Sequence, residues 1–381
     1  VAGSVRCDRQ IDARISGVST LATPLCDRFG IEHPVFGFAH DIATVAAICH
    51  AGGLGVYGAT RRFPHEIRDE LAEIRRLVGD RPFGVDLVLP PGMPEHNSRE
   101  AIEAHIPDEH RRFVEHIADK YDVPDPSGPG MRTRFIRSTE IEAEQLEAVF
   151  EADVDLFACG IGAPRPAVER AQELGKVTAA LIGSHRHVAR ALDSGVEVIV
   201  AQGAEAGAHT GTIGTFTLVP QVVDACGDVP VLAAGGVATG RHLAAALAMG
   251  AQGVWTGTIW LTSTEHAARL PAALVGKLLA ATSSDTVVTR SESGKTFRQI
   301  RSAWSDEWSD AGAPTPLKMP YQDVLVGDLL GAIDEHEVEP LLHSGAGQGI
   351  GYASEVRPVA TIMDELVADA ASVTSTWGAR T

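Results

Sequence analysis

The chain has no CxxC pair, and its five cysteines (Cys7, Cys26, Cys49, Cys159 and Cys226) are scattered and odd in number. That argues against a disulfide framework or a zinc site and fits a reducing cytosol. No apolar run reaches the roughly 18 residues that a membrane span needs. The first twenty residues, VAGSVRCDRQIDARISGVST, carry charges throughout and no apolar core, so they do not read as a secretory leader. Basic residues are outnumbered, and the net charge of −18 argues against nucleic acid or an anionic membrane as a partner. It still permits a locally basic pocket for a small anion. Hydrophobic residues at 44% and charged residues at 22% leave ample material for a core. These absences point to a soluble cytoplasmic protein acting on a small molecule.

What is present is a rhythm. Apolar runs recur at 34–38, 54–58, 83–89, 154–160, 177–183, 196–203, 229–236 and 253–261, each ending in small or polar residues. Continuous apolar runs of this length read as strands buried on both faces. Between them lie stretches such as PHEIRDELAEIRRLVG and TGRHLAAALAMG, whose apolar residues fall at helical spacing and which close on Gly. Eight such units in about 230 residues predict an α/β fold, a (β/α)8 TIM barrel. An open doubly wound sheet gives the same alternation, but no GxGxxG follows the first run.

One interval breaks the rhythm: the third and fourth strands start about 70 residues apart, against roughly 20–35 elsewhere. The excess, 91–139, is bracketed by Pro/Gly clusters and reads as an excursion from a βα loop, either a lid or a contact between copies in a homo-oligomer. The expected organisation is therefore a barrel over 21–90 and 140–275, an insertion over 91–139, and a C-terminal helical extension over 276–381 packing on the barrel.

In such a barrel chemistry sits at the C-terminal ends of the strands, and phosphate often binds after the seventh and eighth. Those strands end in AAGGV, with Gly235 and Gly236, and in WTGT, with Trp255, Thr256, Gly257 and Thr258. Glycine amides, two hydroxyls and the start of the helix after Gly236 offer donors to an anion. Paired glycines also simply make tight turns. The sixth strand runs into AQGAEAGAHTG. Gln202 can donate and accept along a heteroaromatic edge, the small residues around Gly207 clear room for a flat ring, and His209 titrates near neutral pH. His209 reads as base, acid or electrostatic stabiliser, or as a loop histidine bonded to backbone. Glu205 reads as a capping or pairing group, and Asp86 either faces the site or caps a turn. The i, i+2 histidines His185 and His187 do not form a metal pair, and no metal is expected. The later glycine cluster SGAGQGIG (344–351) either contacts the cofactor or only turns the chain. Trp304 and Trp308 read as packing.

These motifs together resemble the FMN-dependent nitronate monooxygenases. The resemblance runs through LCDRFGIEHPVF, AGGLGVYG, PFGVDL, VIVAQGAEAGAHTG, VPVLAAGGVATGRHLAAALAMGAQGVWTGTIWL and GQGIG…EVRPVATIMDEL. It implies FMN as cofactor, Gln202 and Gly207 beside the flavin, His209 as the catalytic residue, and Gly235, Gly236 and Trp255 to Thr258 around the FMN phosphate. Asp86 stands where the family has Asn, and so places a titratable carboxyl beside a flavin that becomes anionic on reduction. Ala208 replaces a glycine, Trp255 stands in WTGT where QMGT is common, and His40 lies near the position of a missing methionine.

The activity implied is oxidation of a nitronate or nitroalkane with O2, with His209 as base or anion stabiliser. The alternative on the same scaffold is an NAD(P)H-dependent FMN reductase of an enoyl thioester, quinone or CoA-linked substrate. A phosphate-binding barrel without redox chemistry, such as an aldolase or lyase, is the reading from another class.

Overall fold

A computed structural model describes residues 21–93, 95 and 98–376. The first twenty residues, with Cys7 and the leader reading, lie outside the described residues, as do Pro94, His96 and Asn97 of the insertion. In chain order the strands are β1 (Val35–Ala39), β2 (Leu54–Gly58), β3 (Phe83–Val88), β4 (Leu156–Gly160), β5 (Val177–Ile182) and β6 (Val198–Gln202), then β7 (Ala208–His209), β8 (Val231–Ala234), β9 (Gly253–Thr256), β10 (Thr286–Thr289) and β11 (Phe297–Ile300). All except β7, β10 and β11 run parallel and close into a barrel, with β9 pairing back onto β1 through Val35↔Val254 and Phe36↔Trp255. The eight barrel strands coincide with the eight apolar runs, β1 ending one residue beyond its run, so the (β/α)8 expectation holds.

Alternation sorts each strand into two faces. Phe36, Leu54, Val56, Leu156, Ala158, Ala179, Val198, Val200, Leu232, Ala234 and Trp255 pack together inside the barrel. Val35, Ile199, Ala233 and Val254 face the surrounding helices. Helix Pro64–Val78 shows why a helix forms there: Pro at its start fixes φ, and Ile67, Leu71, Ile74 and Val78 repeat at helical spacing and are buried. Each such side chain, fully buried, contributes about 1.5–3 kcal/mol. The short helix Pro24–Phe29 closes the opposite end of the barrel from the loops, its Phe29 ring meeting Phe36 edge-on at 5.5 Å. Cys26, Cys49, Cys159 and Cys226 are free and buried. Among the described residues no helix is long and apolar enough to cross a membrane.

A second layer covers one side of the barrel. From the insertion, Ile117 shares a core with Trp304, Trp308 and Leu330, while Ile102 and Ile106 pack with Val324. Arg99 pairs with Asp328 across the same contact. The C-terminal segment is helical over Ala272–Ala280, Tyr321–Glu335 and Val359–Ser375. It also carries the β10–β11 hairpin, which the sequence pattern did not reveal.

Helix Tyr321–Glu335 holds Gly327 and Gly331 in its interior, where glycine weakens a helix by about 1 kcal/mol. The reason is the insertion crossing over them. A Cβ on Gly130 would lie 2.1 Å from the Gly327 carbonyl oxygen, and one on Gly331 would lie 2.6 Å from the Gly130 Cα. Gly130→Ala is therefore expected to cost about 1–3 kcal/mol in urea unfolding and to make the insertion the first site of limited proteolysis. An unchanged midpoint with an unchanged cleavage pattern would show that the crossing does not hold the two segments together.

Candidate functional site

The inward alternation carried to the end of each strand, or one or two residues beyond it, defines a rim at the C-terminal end of the barrel. Strand by strand its positions are His40, Gly58, Val88, Gly160, Gly183, Gln202, Gly236 and Gly257. Five of these eight are glycine, so the rim is almost without side chains, and a Cβ on Gly257 would meet nothing closer than 3.9 Å. The layer beneath holds Phe38, Asp86 and Trp255 among apolar neighbours. Phe38 and Trp255 stack at 6.1 Å. A shallow floor with an aromatic base suits a flat, partly apolar group.

Asp86 stands in that floor, paired in register with Gly58 on one side and Ala158 on the other. It is only 5% exposed, and its Oδ2 has no hydrogen-bond partner. Burial pushes its pKa up to about 7, so near neutrality the carboxyl is divided between a protonated form that can donate and an anion that cannot.

The loop after β6 is pinned at each residue that matters. Gln202 Nε2 donates to the His209 carbonyl at 2.7 Å, so half of its amide serves the loop itself. Glu205 accepts from the Thr215 amide at 2.8 Å and from its hydroxyl at 2.8 Å, the capping role expected of it. Gly207 packs on the 344–351 cluster, where an added Cβ would lie 2.7 Å from the Gly347 amide. Ala208 has φ +58°, in the left-handed region that favours glycine. Together with His209 it forms β7, which pairs antiparallel with Phe297 and Arg298 of β11.

His209 Nδ1 lies 3.2 Å from the Thr296 carbonyl oxygen, and its ring meets Phe297 edge-on at 5.4 Å. A carbonyl only accepts, so Nδ1 carries the proton and Nε2 keeps a lone pair. Burial lowers its pKa to about 4, against the Thr296 carbonyl, which raises it, with Arg132 adding to the fall. The imidazole is therefore neutral at physiological pH.

At the ends of β8 and β9, Gly235 and Gly236 have φ +97° and +74°. A Cβ on Gly235 would stand 2.9 Å from the Gly203 carbonyl oxygen and from Thr215 Oγ1. Among the described residues, the amides of Gly235, Gly236, Val237, Gly257 and Thr258 donate to no other group. Successive free N–H groups in this conformation form a nest for an anion. Thr258 Oγ1 accepts from the Gly347 amide at 2.9 Å, which brings the 344–351 cluster to the same place.

Two sequence expectations change here. The Thr256 hydroxyl, counted as a phosphate donor, instead donates to the Phe36 carbonyl at 3.2 Å and accepts from Trp260 Nε1 at 3.0 Å. The Trp255 side chain is buried inside the barrel, in the layer under the rim, rather than standing at the strand end. The helix after Gly236 is also less open than expected: His242 Nδ1 accepts from the Ala238 and Thr239 amides, and Asp369 accepts from Arg241. The free donors lie one turn earlier.

Sequence reading missed a charged cluster beside His209. Arg132 pairs with Glu292 at 2.6 Å and Asp323 at 3.4 Å, and Arg61 pairs with Asp323 at 2.8 Å. His343 contacts Glu292 at 2.6 Å. Burial alone would raise Glu292, but Arg132 and His343 outweigh it and hold the carboxyl down at about 2. Burial lowers Lys295, and neighbouring Arg137 lowers it further. The run MRTRFIR (131–137) in so acidic a chain was the available signal. Among the described residues no group of three or more His, Cys, Asp or Glu could hold a metal ion.

Comparison with known proteins places the chain in a family and agrees with the barrel fold. The family profile described as nitronate monooxygenase matches residues 22–369. The Mycobacterium tuberculosis protein Rv1533, named as a monooxygenase, is 40% identical over 365 residues, covering 91% of this chain and 96% of that one. A Staphylococcus aureus protein named as a nitronate monooxygenase is 29% identical over 362 residues, covering 90% and 96%. Among solved structures, the nitroalkane oxidase of Streptomyces ansochromogenes superposes with a TM-score of 0.77 at 26% identity, covering 93% of this chain and 99% of that one. FabK of Thermotoga maritima gives 0.71 at 25%, covering 94% and 99%.

Two measurements follow from the site's geometry. The folded Asp86 carboxyl holds its proton to about pH 7, while the unfolded one releases it near 4. Stability is therefore present below about pH 4 and lost as pH rises through 7, by at most about 4 kcal/mol. Asp86→Asn should flatten that dependence in denaturant titrations of flavin-free protein at pH 5 and pH 8; a slope unchanged in the variant would remove Asp86 as its source. Ala208→Gly relieves the left-handed backbone and should stabilise by up to about 1 kcal/mol. A loss of stability would show that the alanine is not strained.

Proposed function

The chain belongs to the nitronate monooxygenase family, a family of flavin-dependent enzymes, and from that premise we propose that it binds FMN and oxidises a nitronate or nitroalkane with O2, with His209 as the base. The donors present suit FMN. Five free amides around Gly235–Val237 and Gly257–Thr258 suit a terminal phosphate. The glycine rim suits a flat ring, and the unpartnered Asp86 Oδ2 awaits a polar edge. Bound there, the flavin would supply the electron-accepting ring.

The observation that carries the assignment of His209 is its tautomer. With Nδ1–H held by Thr296, the free Nε2 lone pair can take a proton from carbon while the backbone contact keeps the ring in place. An imidazolium stabilising an anion is the weaker reading, because burial disfavours that form. The same burial makes His209 a weak base. A substrate that arrives as the preformed nitronate avoids the uphill proton transfer, which supports a preference for the anion over the neutral nitroalkane.

For the neutral substrate, measured in an Asp86→Asn background that removes the carboxyl titrating near 7, kcat/KM should hold constant from pH 8 downward and fall only as pH approaches the lowered His209 pKa of about 4. A limb near 6.5, the ordinary histidine value, would count against the neutral-base reading. His209→Asn should keep FMN and lose roughly 100-fold or more on the nitroalkane, with a loss several-fold smaller on the nitronate. Equal losses on both would overturn the base assignment. In anaerobic mixing, bleaching of the flavin by NADH or NADPH rather than by ethylnitronate would replace the oxygenase reading with the reductase one.

A further inference from the structure

His40 occupies the rim position at the end of β1, continuing the inward series Phe36, Phe38. Its ring meets Phe38 edge-on at 4.9 Å and leans over β2, where Gly58 makes room for it: a Cβ on Gly58 would lie 2.5 Å from His40 Nδ1. Nδ1 is 3.0 Å from the Gly58 carbonyl oxygen. That carbonyl can only accept, so Nδ1 is the protonated nitrogen and Nε2 bears the lone pair. The residue is nevertheless exposed. It thus lines the open recess with a fixed ring and one unused acceptor.

The groups around it keep it neutral. Desolvation of the ring where it packs on Phe38 and β2 lowers its pKa while its outer edge stays exposed; Arg62 and His266 add to the fall, against the Gly58 carbonyl and Asp41, which raise it. Asp41 is itself engaged, accepting from the Thr44 amide at 2.8 Å and meeting His266 Nδ1 at 2.7 Å. None of the proton chemistry assigned to His209 uses His40, which stands three strand positions away around the barrel.

We propose that His40 is a specificity-determining residue whose Nε2 accepts a hydrogen bond from a neutral donor on the substrate, so that the preferred carbon acid carries a hydroxyl or amide N–H. This rests on the function proposed above. The recess is then polarised. Its β1 side offers an acceptor that disfavours anions and rewards O–H or N–H, while the cations Lys295 and Arg132 lie on the hairpin side, beside His209. A purely apolar nitroalkane leaves the acceptor without a partner once water is expelled, and that loss is what discriminates.

The test uses the FMN-loaded full chain and the nearly isosteric pair nitropropanol and nitrobutane, as nitronates, with wild type, His40→Phe and His40→Gln. Wild type should favour nitropropanol by about 10-fold in kcat/KM, the worth of one hydrogen bond, mostly through KM. His40→Phe, which keeps the ring packing, should erase the preference without lowering turnover of nitrobutane, and His40→Gln should restore part of it. Turnover of both compounds with no preference, or equal losses on both in His40→Phe, would overturn the assignment. So would loss of FMN from His40→Phe, which would make His40 a cofactor ligand. If neither compound is turned over, the oxygenase reading fails. Dissociation constants for the same pair, read from the flavin spectrum, then decide His40 on their own: a tenfold ratio that His40→Phe abolishes upholds it, and equal constants overturn it.

Discussion

Everything at the mouth of this barrel depends on a two-residue ladder, Ala208–His209 against Phe297–Arg298. A loop of small residues has little side-chain packing to hold it and would fray if left alone. Here it is clamped from both sides. Gln202 reaches from the strand end to the His209 carbonyl, and the hairpin supplies the Thr296 carbonyl that fixes the ring. Arg298 extends the clamp by donating to the Ala204 carbonyl at 3.0 Å. The histidine's tautomer, its distance from the rim and its burial all follow from a segment nearly ninety positions later in the chain.

That dependence explains why the C-terminal segment and the insertion share a core rather than packing separately on the barrel. The hairpin must be held rigid to hold His209. Glu292 on the hairpin joins Arg132 of the insertion to His343, and Asp323 joins Arg132 to Arg61 after β2. Three segments distant in sequence meet in one buried network. Such networks contribute little net stability, because desolvation offsets the attraction, but removing one partner strands another charge. Their value here is geometric: they fix where the hairpin sits.

The barrel was legible in the sequence because its strands are buried on both faces and so appear as unbroken apolar runs. The glycine pair of β8 and the small-residue loop after β6 were legible for a related reason, since clearance is written as missing side chains. β7 and β11 were not. Two residues carry no periodicity, and FRQI alternates too briefly to stand out. Thr256 was misjudged because a hydroxyl at a strand end reads as a donor to the site, whereas strand parity turns it outward to Trp260. Of the Arg132–Glu292–Asp323 network only the basic run 131–137 showed in the sequence; its pairings could not be read, as the partners are separated by up to 191 positions.

The site's titratable groups share one tendency. Burial raises Asp86 and lowers His209, and partial desolvation lowers the exposed His40, so each moves toward its uncharged form. Apart from the free amides after β8 and β9, the recess is lined by glycines and by groups that tend to their uncharged forms, while Arg132, Glu292 and Asp323 stand back as ion pairs at the hairpin. Such an arrangement leaves the developing charge of a reaction to be met by positioned lone pairs, N–H groups and the distant cations rather than by a fixed counter-ion. It would also keep the floor permissive toward the proposed flavin ring, whose charge changes on reduction. A fixed carboxylate at Asp86 would repel an anionic ring, whereas a carboxyl that takes up a proton near neutrality can follow that change. In the proposed FMN site, Asp86 would then serve as a hydrogen-bonding group whose protonation can answer the charge of the bound ring.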